Sequence, residues 1–594
     1  MGHRLILKRT HRSTVAPEAL WPYLSDTDSL NRALGLPPVR YSPTNHEGEP
    51  VLLARARQGP FELEWLEYPF EWSYARRYAV RRVFRMGPFT TVSAGVELNP
   101  GERGGTEIEA FAAIEFSSPA GWLAAQTVVA RQMGSGLRQA IARIEKHLAS
   151  GGRPFADRAY AATNEPALSA LLQRLQSQGV APRIAERMGS FLREAADRET
   201  RHIRPFALAD AWGFPRYEVL DAFFEATRIG LVELSWEVLC PLCRQDRAAK
   251  RNLDDVRGRA HCDLCRIDFE AEFDRHVELK FAVHPAVRRS AGEVYCIGGP
   301  QNTPHVVAQV RLGGREERNL RIPDLVGGLA LRVSPGRAGL DLPAAGITHA
   351  PVKLAVRRDR LQWEGERPSA RPAALTAGNE ESLPLRLILE RDAWDAQIVT
   401  AAIAATRQRF RDVFSTELLA AGEELAVRSM AILFTDLRGS TALYREAGDP
   451  AAYARVSAHF EALKEILARH EGAFIKTAGD AVMGAFIEPE NALKAALEML
   501  RACTRPEMRG LVLKVALNAG PCIAATHDGA MDFFGTAVNL AARLLDYAGP
   551  NELITTEEFY ARASAAVHAA LKSEPFSATP KGFDQVISLV RLRP

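Results

Sequence analysis

"SMAILFTDLRGSTALY" (residues 429–444) is an apolar, strand-like run that ends on Asp436, passes through a short loop with Gly439, and opens a helix near Ser440. A strand that delivers a carboxylate into a glycine loop and a helix N-terminus can hold a divalent cation and turn free backbone N–H groups toward phosphates. Forty-four residues after Asp436, "FIKTAGDAVMGAF" (474–486) places Asp480 at the tip of two strand-like runs around a tight turn, with Lys476 four residues ahead of it. Two carboxylates from adjacent strand ends are what a two-metal site requires.

A third stretch, "DFFGTAVNLAAR" (532–543), completes an ordered set with "FTDLRGST" and "KTAGDAVMGAF". Together they make residues 425–594 resemble the catalytic domain of class III nucleotidyl cyclases, an α/β fold of ferredoxin-like type. The resemblance implies that Asp436, the Leu437 backbone carbonyl and Asp480 hold two divalent cations, Mg2+ or Mn2+. The ribose 3′-hydroxyl then attacks the α-phosphorus and expels pyrophosphate. It further implies that Lys476 and Asp532 read the base, that Asn539 orients the ribose, and that Arg543 stabilises the transition-state charge. Gly439, Ser440 and, in "ATPKGF", Lys581 are expected at the phosphates. Asn539 and Arg543 lie four residues apart, on one face of a helix. "VALNAGPCIA", with Asn518, occupies the family's strand-turn-glycine segment.

The donor and acceptor inventory favours ATP as the nucleotide. An ammonium donates to adenine N1 and a carboxylate accepts from the 6-amino group, whereas guanine reverses both demands. The expected activity is therefore adenylate cyclase, with guanylate cyclase or a silent nucleotide-sensing scaffold as alternatives. In the family the site lies between two catalytic domains, so a homodimer is implied, with Asp480 serving one site and Lys476 the other.

Upstream, residues 1–150 read as α+β: a helix-like "APEALWPYLSDTDSLNRAL", alternating strands, and a closing helix with Leu137, Ile141, Ile144 and Leu148 at helical spacing. In "TEIEAFAAIEF", Ile108, Ala110, Ala112, Ile114 and Phe116 alternate onto one face. This order resembles the START-like (SRPBCC) helix-grip fold. Trp65, Tyr68, Phe70, Trp72 and Tyr74 then either form an aromatic core or line a cavity for a hydrophobic small ligand.

Residues 157–236 are helical and end in helix, turn, helix, strand, a winged-helix-like order. The second of these helices carries Arg216, Glu218, Asp221, Glu225 and Arg228, a net negative charge that argues against DNA. Residues 237–276 contain two CxxC pairs, Cys240/Cys243 and Cys262/Cys265, separated by eighteen residues. Four thiolates so spaced suit one structural Zn2+ in a ribbon with no open coordination position; His261 is a bystander or a replacement ligand, and a redox role for the CxxC pairs is the alternative. Residues 277–390 are β-rich and expected as a sandwich, with His305 in a glycine-proline loop. Residues 391–424 are expected as a linker helix with Val399, Ile403, Thr406, Phe410 and Val413 on a single seam. That seam either pairs with a second copy or packs within its own chain.

The chain of 594 residues is 47% hydrophobic and 25% charged, which suits about four domains. Its Lys plus Arg total of 75 nearly balances 72 Asp plus Glu, so no overall charge calls for nucleic acid or an anionic membrane. No run of about 18 apolar residues marks a membrane span and no apolar h-region marks a signal peptide, so a cytoplasmic protein is expected. The two CxxC pairs among seven cysteines favour metal ligation over disulfides in a reducing compartment.

Overall fold

The computed structural model describes residues 3–593 apart from 60, 102–103, 152–153, 156–160, 246–248, 264, 266, 291, 337, 440–443, 446–447, 503–511 and 570. Of the expected site residues, Ser440 lies outside the described residues.

From β1 (His3–Ser13) through β5 (Glu71–Ser73) to β8 (Thr106–Phe116), the first segment is an antiparallel sheet. In β8 the period-two pattern buries Thr106, Ile108, Ala110, Ala112, Ile114 and Phe116. Helix α1 (Leu137–Ser150) lays Leu137, Ala140, Ile141 and Ile144 into the core formed with Leu20, Trp21, Tyr78 and Ile108. Leu148, expected on the same seam, is instead 41% exposed in the last turn of the helix, which Gly151 ends at φ 74°.

The aromatic cluster divides. Phe70 and Trp72 are core residues, Tyr68 packs with Val51 and Leu66, and Trp65 is buried with its indole N–H donating to Glu67. Tyr68, Phe70 and Trp72 also border a cavity of about 110 Å³, but that cavity opens toward Cys243, Cys265, Arg332 and Arg386 rather than under α1.

Helix α2 (Pro205–Trp212), helix α3 (Arg216–Arg228) and β9 (Val232–Val238) follow in the expected order. Gly213 adopts the left-handed cap that ends α2, at φ 71°. Four of the five charges on α3 are engaged within the chain: Arg216 donates to Asp210, Arg228 to Glu225, and Asp221 accepts from Arg407. Strand β10 (Val277–Val283) pairs antiparallel with β9, Val232 opposite Val283. Residues 277–283, expected to open the β-rich region, thus complete the helical segment, and the cysteine ribbon is an insertion between its two strands.

The β-rich region is not a free-standing sandwich. Strand β11 (Val306–Leu312) pairs with β5, setting Gln309 opposite Trp72, so one twelve-stranded sheet runs from the amino-terminal segment into residues 306–391. The Trp72 indole N–H donates to the Val306 carbonyl across this seam. A second, four-stranded sheet covers the far part of it through Leu312, Leu331, Leu354, Leu375 and Leu387. The physical reason is the edge of β5: a short strand with free backbone groups takes the next apolar strand available.

The expected linker helix is two short helices, α4 (Ala401–Ala405) and α5 (Gln408–Val413), broken at Arg407, whose backbone is extended (φ −96°, ψ 122°). Thr406 donates its hydroxyl back to Ala402, and Arg407 turns to pair with Asp221 of α3 at 2.6 Å. Phe410 packs on Phe224 and Trp236 with ring centroids 5.3 and 6.0 Å away. The seam therefore packs inside its own chain, and burial of an aromatic of this size contributes about 1.5–3 kcal/mol.

The carboxy-terminal sheet is built from β12 (Glu424–Arg438), β13 (Ala473–Ala478), β14 (Ala481–Phe486), β15 (Val512–His527) and β16 (Ala530–Phe534), and continues through strands 552–556, 587–593 and 572–578. The strand order is β13, β14, β12, β15, with β16 on β15. Both faces of the middle of β12 are covered, which is why Met430, Ala431, Ile432, Leu433 and Phe434 form a continuous apolar run rather than an alternating one. Ala431 and Leu433 face α6 (Asp449–Arg469) and α7 (Pro489–Ala502). Met430 and Ile432 face the other way, joining Ile475, Met483, Met531 and Phe533 in one core with Phe224, Trp236 and Phe410. The upstream helical segment is thus continuous with one face of this sheet.

Candidate active site

Asp436 stands near the end of β12, opposite Lys514 of β15. It is half-buried, and burial first, then the charge of Asp480, pushes its carboxyl above the usual range while Lys514 pulls the other way. Asp480 follows Gly479 at the turn between β13 and β14, where φ is 67° and a side chain would be strained. The Val482 N–H donates to Thr435 Oγ1 at 3.3 Å and ties this hairpin to the strand that carries Asp436. Gly439 adopts φ 81° as the chain leaves β12, and the Leu437 side chain is buried in the core beneath the site.

Lys476 does not turn to Asp480, four residues on. Its ammonium donates to Asp532 Oδ2 at 2.5 Å, and the second carboxylate oxygen accepts from the Phe533 N–H at 2.8 Å. A register irregularity in β13 just precedes the lysine, pairing Phe474 with Gly484 but Lys476 with Met483. Asp532 is 4% exposed, while the Lys476 side chain keeps 42% of its surface open, with Nζ 5.4 Å from the Phe534 ring.

Asn539 and Arg543 project from α8 (Thr536–Leu544) into a cleft of about 720 Å³ that is also lined by Thr536, Lys581 and Phe583. Lys581, 42 residues from Asn539 in sequence by their numbering, is thereby brought to the same cleft. Asn518 holds the helix in place: its amide donates to the Ala537 carbonyl at 3.0 Å and its carbonyl accepts from Thr556. Gly520 lets α8 approach, since a Cβ there would lie 3.0 Å from that of Ala537.

A residue that sequence reading passed over is Arg411 of α5. Its guanidinium lies against β13 and β16, donating to the backbone carbonyls of Ile475 and Met531. In the sequence it is one of several arginines in "TRQRFRDVF", and nothing in that spacing distinguishes it from a solvated helix face.

The cysteines converge as a second, separate centre. The sulfurs of Cys240, Cys243, Cys262 and Cys265 all lie within 4.8 Å of one another, and all four residues are buried. Backbone N–H groups of Leu242 and Cys265 point at the sulfurs of Cys240 and Cys262. Sulfurs in such a cage, with N–H donors that favour thiolates, fit a tetrahedral Zn2+. His261 is exposed and engaged with Asp268 at 2.8 Å, apart from the cage. The ribbon is fastened to the β-rich region by the Leu242 carbonyl, which accepts from Arg332 and from His305, an imidazole that burial drives down to about 3.

Residues 166–294 match a family of unknown function (DUF5939), and residues 424–582 match the family described as adenylate and guanylate cyclase catalytic domain. An uncharacterized protein of Mycobacterium tuberculosis is 30% identical over 172 residues, 29% of this chain and 43% of that protein. A protein named adenylate cyclase from Streptomyces coelicolor is 31% identical over 156 residues, 26% of this chain and 38% of its own length. The chain thus spans less than half the length of these relatives. Among solved structures, the adenylyl cyclase CyaB from P. aeruginosa aligns with 29% of this chain and 96% of its own, at 21% identity and a TM-score of 0.25. No helix among the described residues is long and apolar enough to cross a membrane. Over residues 424–582 this chain is thus similar to the adenylate and guanylate cyclase catalytic domain family.

Proposed function

We propose that the protein converts ATP to 3′,5′-cyclic AMP and pyrophosphate at sites shared by the catalytic domains of a homodimer, under the control of its upstream segments. The observation that carries the choice of nucleotide is the Lys476–Asp532 pair: an ammonium and a buried carboxylate held at 2.5 Å present a donor beside an acceptor. Adenine offers N1 as acceptor and its 6-amino group as donor, which matches; guanine offers the reverse at both positions. A site with buried polar groups rejects the mismatched base because those groups would be left unpaired.

The half-buried Asp436, its carboxyl raised by burial and by Asp480, is a concentration of negative charge that suits divalent cations. Asp436 and Asp480, with the Leu437 carbonyl, would hold two Mg2+ or Mn2+, whose chemistry is to acidify the ribose 3′-hydroxyl and to neutralise the departing phosphates. The chain's own groups do the rest. Asn539 orients the ribose, Arg543 stabilises charge on the α-phosphoryl group, and Lys581, from the same cleft, meets the triphosphate. The 3′-oxygen forms its bond to the α-phosphorus, the bond to the bridging oxygen of pyrophosphate breaks, and the hydroxyl proton leaves to solvent. Carboxylates from one protomer and the base-reading pair from the other complete each site. At the cysteine cage, a single Zn2+ would hold the ribbon, which has little core of its own.

The test is turnover of ATP and of GTP by the purified full chain with Mn2+ or Mg2+. Cyclic AMP is the expected product, in large excess over cyclic GMP. A preference for GTP, or the absence of both products, overturns the reading.

A further inference from the structure

Arg411 stands outside residues 424–582, the span matched by the cyclase family, yet it touches the two strands that carry the base-reading pair. One nitrogen of its guanidinium donates to the Met531 carbonyl at 2.9 Å and reaches the Ile475 carbonyl at 3.5 Å. Met531 immediately precedes Asp532, and Ile475 immediately precedes Lys476. Strands β13 and β16 are not neighbours in the sheet, since β14, β12 and β15 intervene along the strand order. Their separation near the pair is therefore not fixed by a shared ladder. A single guanidinium nitrogen shared between both main chains adds a tie beside the Lys476–Asp532 pair.

The rest of α5 supports the same contact. The Phe474 N–H donates to Gln408 Oε1 at 2.8 Å, and Lys464 of α6 donates to Asp412 at 2.9 Å. On its opposite side α5 is anchored upstream: Phe410 packs on Phe224 and Trp236, Arg407 pairs with Asp221, and Arg409 pairs with Glu225. A displacement of α3 would thus be carried to the carbonyls beside Lys476 and Asp532 through one short helix.

Resting on the ATP reading of this site, we infer that Arg411 is a positioning residue for purine recognition. It sets the spacing of Lys476 and Asp532, and α5 links that spacing to the upstream helical segment. It touches neither base nor phosphate; it acts through the backbone of the residues that do.

The experiment measures KM, kcat and the ratio of ATP to GTP turnover for the wild-type full chain, Arg411→Ala and Arg411→Lys. Equilibrium Kd values for ATP and GTP, and melting temperatures, are recorded alongside. Arg411→Ala is expected to raise KM and Kd for ATP about tenfold and to lower the ATP-to-GTP ratio about tenfold, with a smaller fall in kcat. Arg411→Lys, which keeps a charged donor but a shorter and less rigid one, should recover part of both losses. The inference is overturned if the ATP-to-GTP ratios of turnover and of Kd match wild type in Arg411→Ala. It is equally overturned if both nucleotides weaken together in proportion to a lowered melting temperature. A wild-type chain that prefers GTP or turns over neither nucleotide defeats the ATP reading alone, because the Kd ratios still report whether Arg411 sets base discrimination.

Discussion

Lys476 and Asp532, 56 residues apart in the chain, meet at 2.5 Å across the ends of two strands that do not pair with each other. The lysine remains partly open while the aspartate is almost wholly buried, so the acceptor is fixed and the donor presents the pair to solvent. Replacing Asp532 with Asn keeps the shape and removes the charge, and it adds an N–H donor toward guanine O6. Asp532→Asn is expected to lower kcat/KM for ATP by about 100-fold and to raise the relative use of GTP, read by parallel assays of both cyclic products.

If Asp480 serves one site and Lys476 the other, two inactive variants complement. Asp480→Ala and Lys476→Ala are each expected to lose activity as homodimers. Mixed in equal amounts under exchange, half the dimers are heterodimers with one intact site, giving about a quarter of wild-type turnover. A mixture as inactive as its parents would show that each site is built within one chain.

The raised carboxyl of Asp436 has a signed consequence. Its folded value lies above the ordinary 3.8, so without metal the native state holds the proton more tightly than the unfolded chain. Stability from this group is therefore present at low pH and lost as pH rises from 3.8 through the raised value, while cation binding, which needs the carboxylate, strengthens over the same window. Mn2+ titrations at several pH values should show affinity rising with pH. Asp436→Asn should abolish both the binding and its slope.

The cysteine cage should bring one Zn2+ per chain in elemental analysis of the purified protein. Cys262→Ser is expected to lose that metal and to lower the melting temperature by about 5 °C or more, since the ribbon is also the docking point for Arg332 and His305. Protein that retains full stability after metal removal would argue that the cage is held by its surroundings alone.

Several parts of the candidate site are local patterns in the sequence. The run that ends on Asp436, the hairpin tip at Asp480, and the helix that presents Asn539 and Arg543 are local patterns, and local periodicity reports them directly. The two CxxC turns likewise announced a four-sulfur cage, and the structure gathers those sulfurs within 4.8 Å. Domain limits were harder to read. Residues 277–283 have the composition of a β-rich region, but their partner is β9, across the ribbon insertion. The linker looked like one helix because its seam is regular, and it breaks at Arg407, where an ion pair to Asp221 and the packing of Phe410 outweigh helical continuity.

By itself the sequence determined the chemistry available: which carboxylates follow strands, which donor and acceptor sit in the second and third motifs, and which thiols could share a metal. Which residues meet is set by packing between distant segments. Lys476 meets Asp532, 56 residues away, across strands that share no ladder, and Arg411 reaches the same strands because α5 is wedged between them and α3. Periodicity along a chain is set by local backbone geometry, whereas contacts between distant segments are set by how their buried faces pack, and that information is shared among residues far apart in sequence.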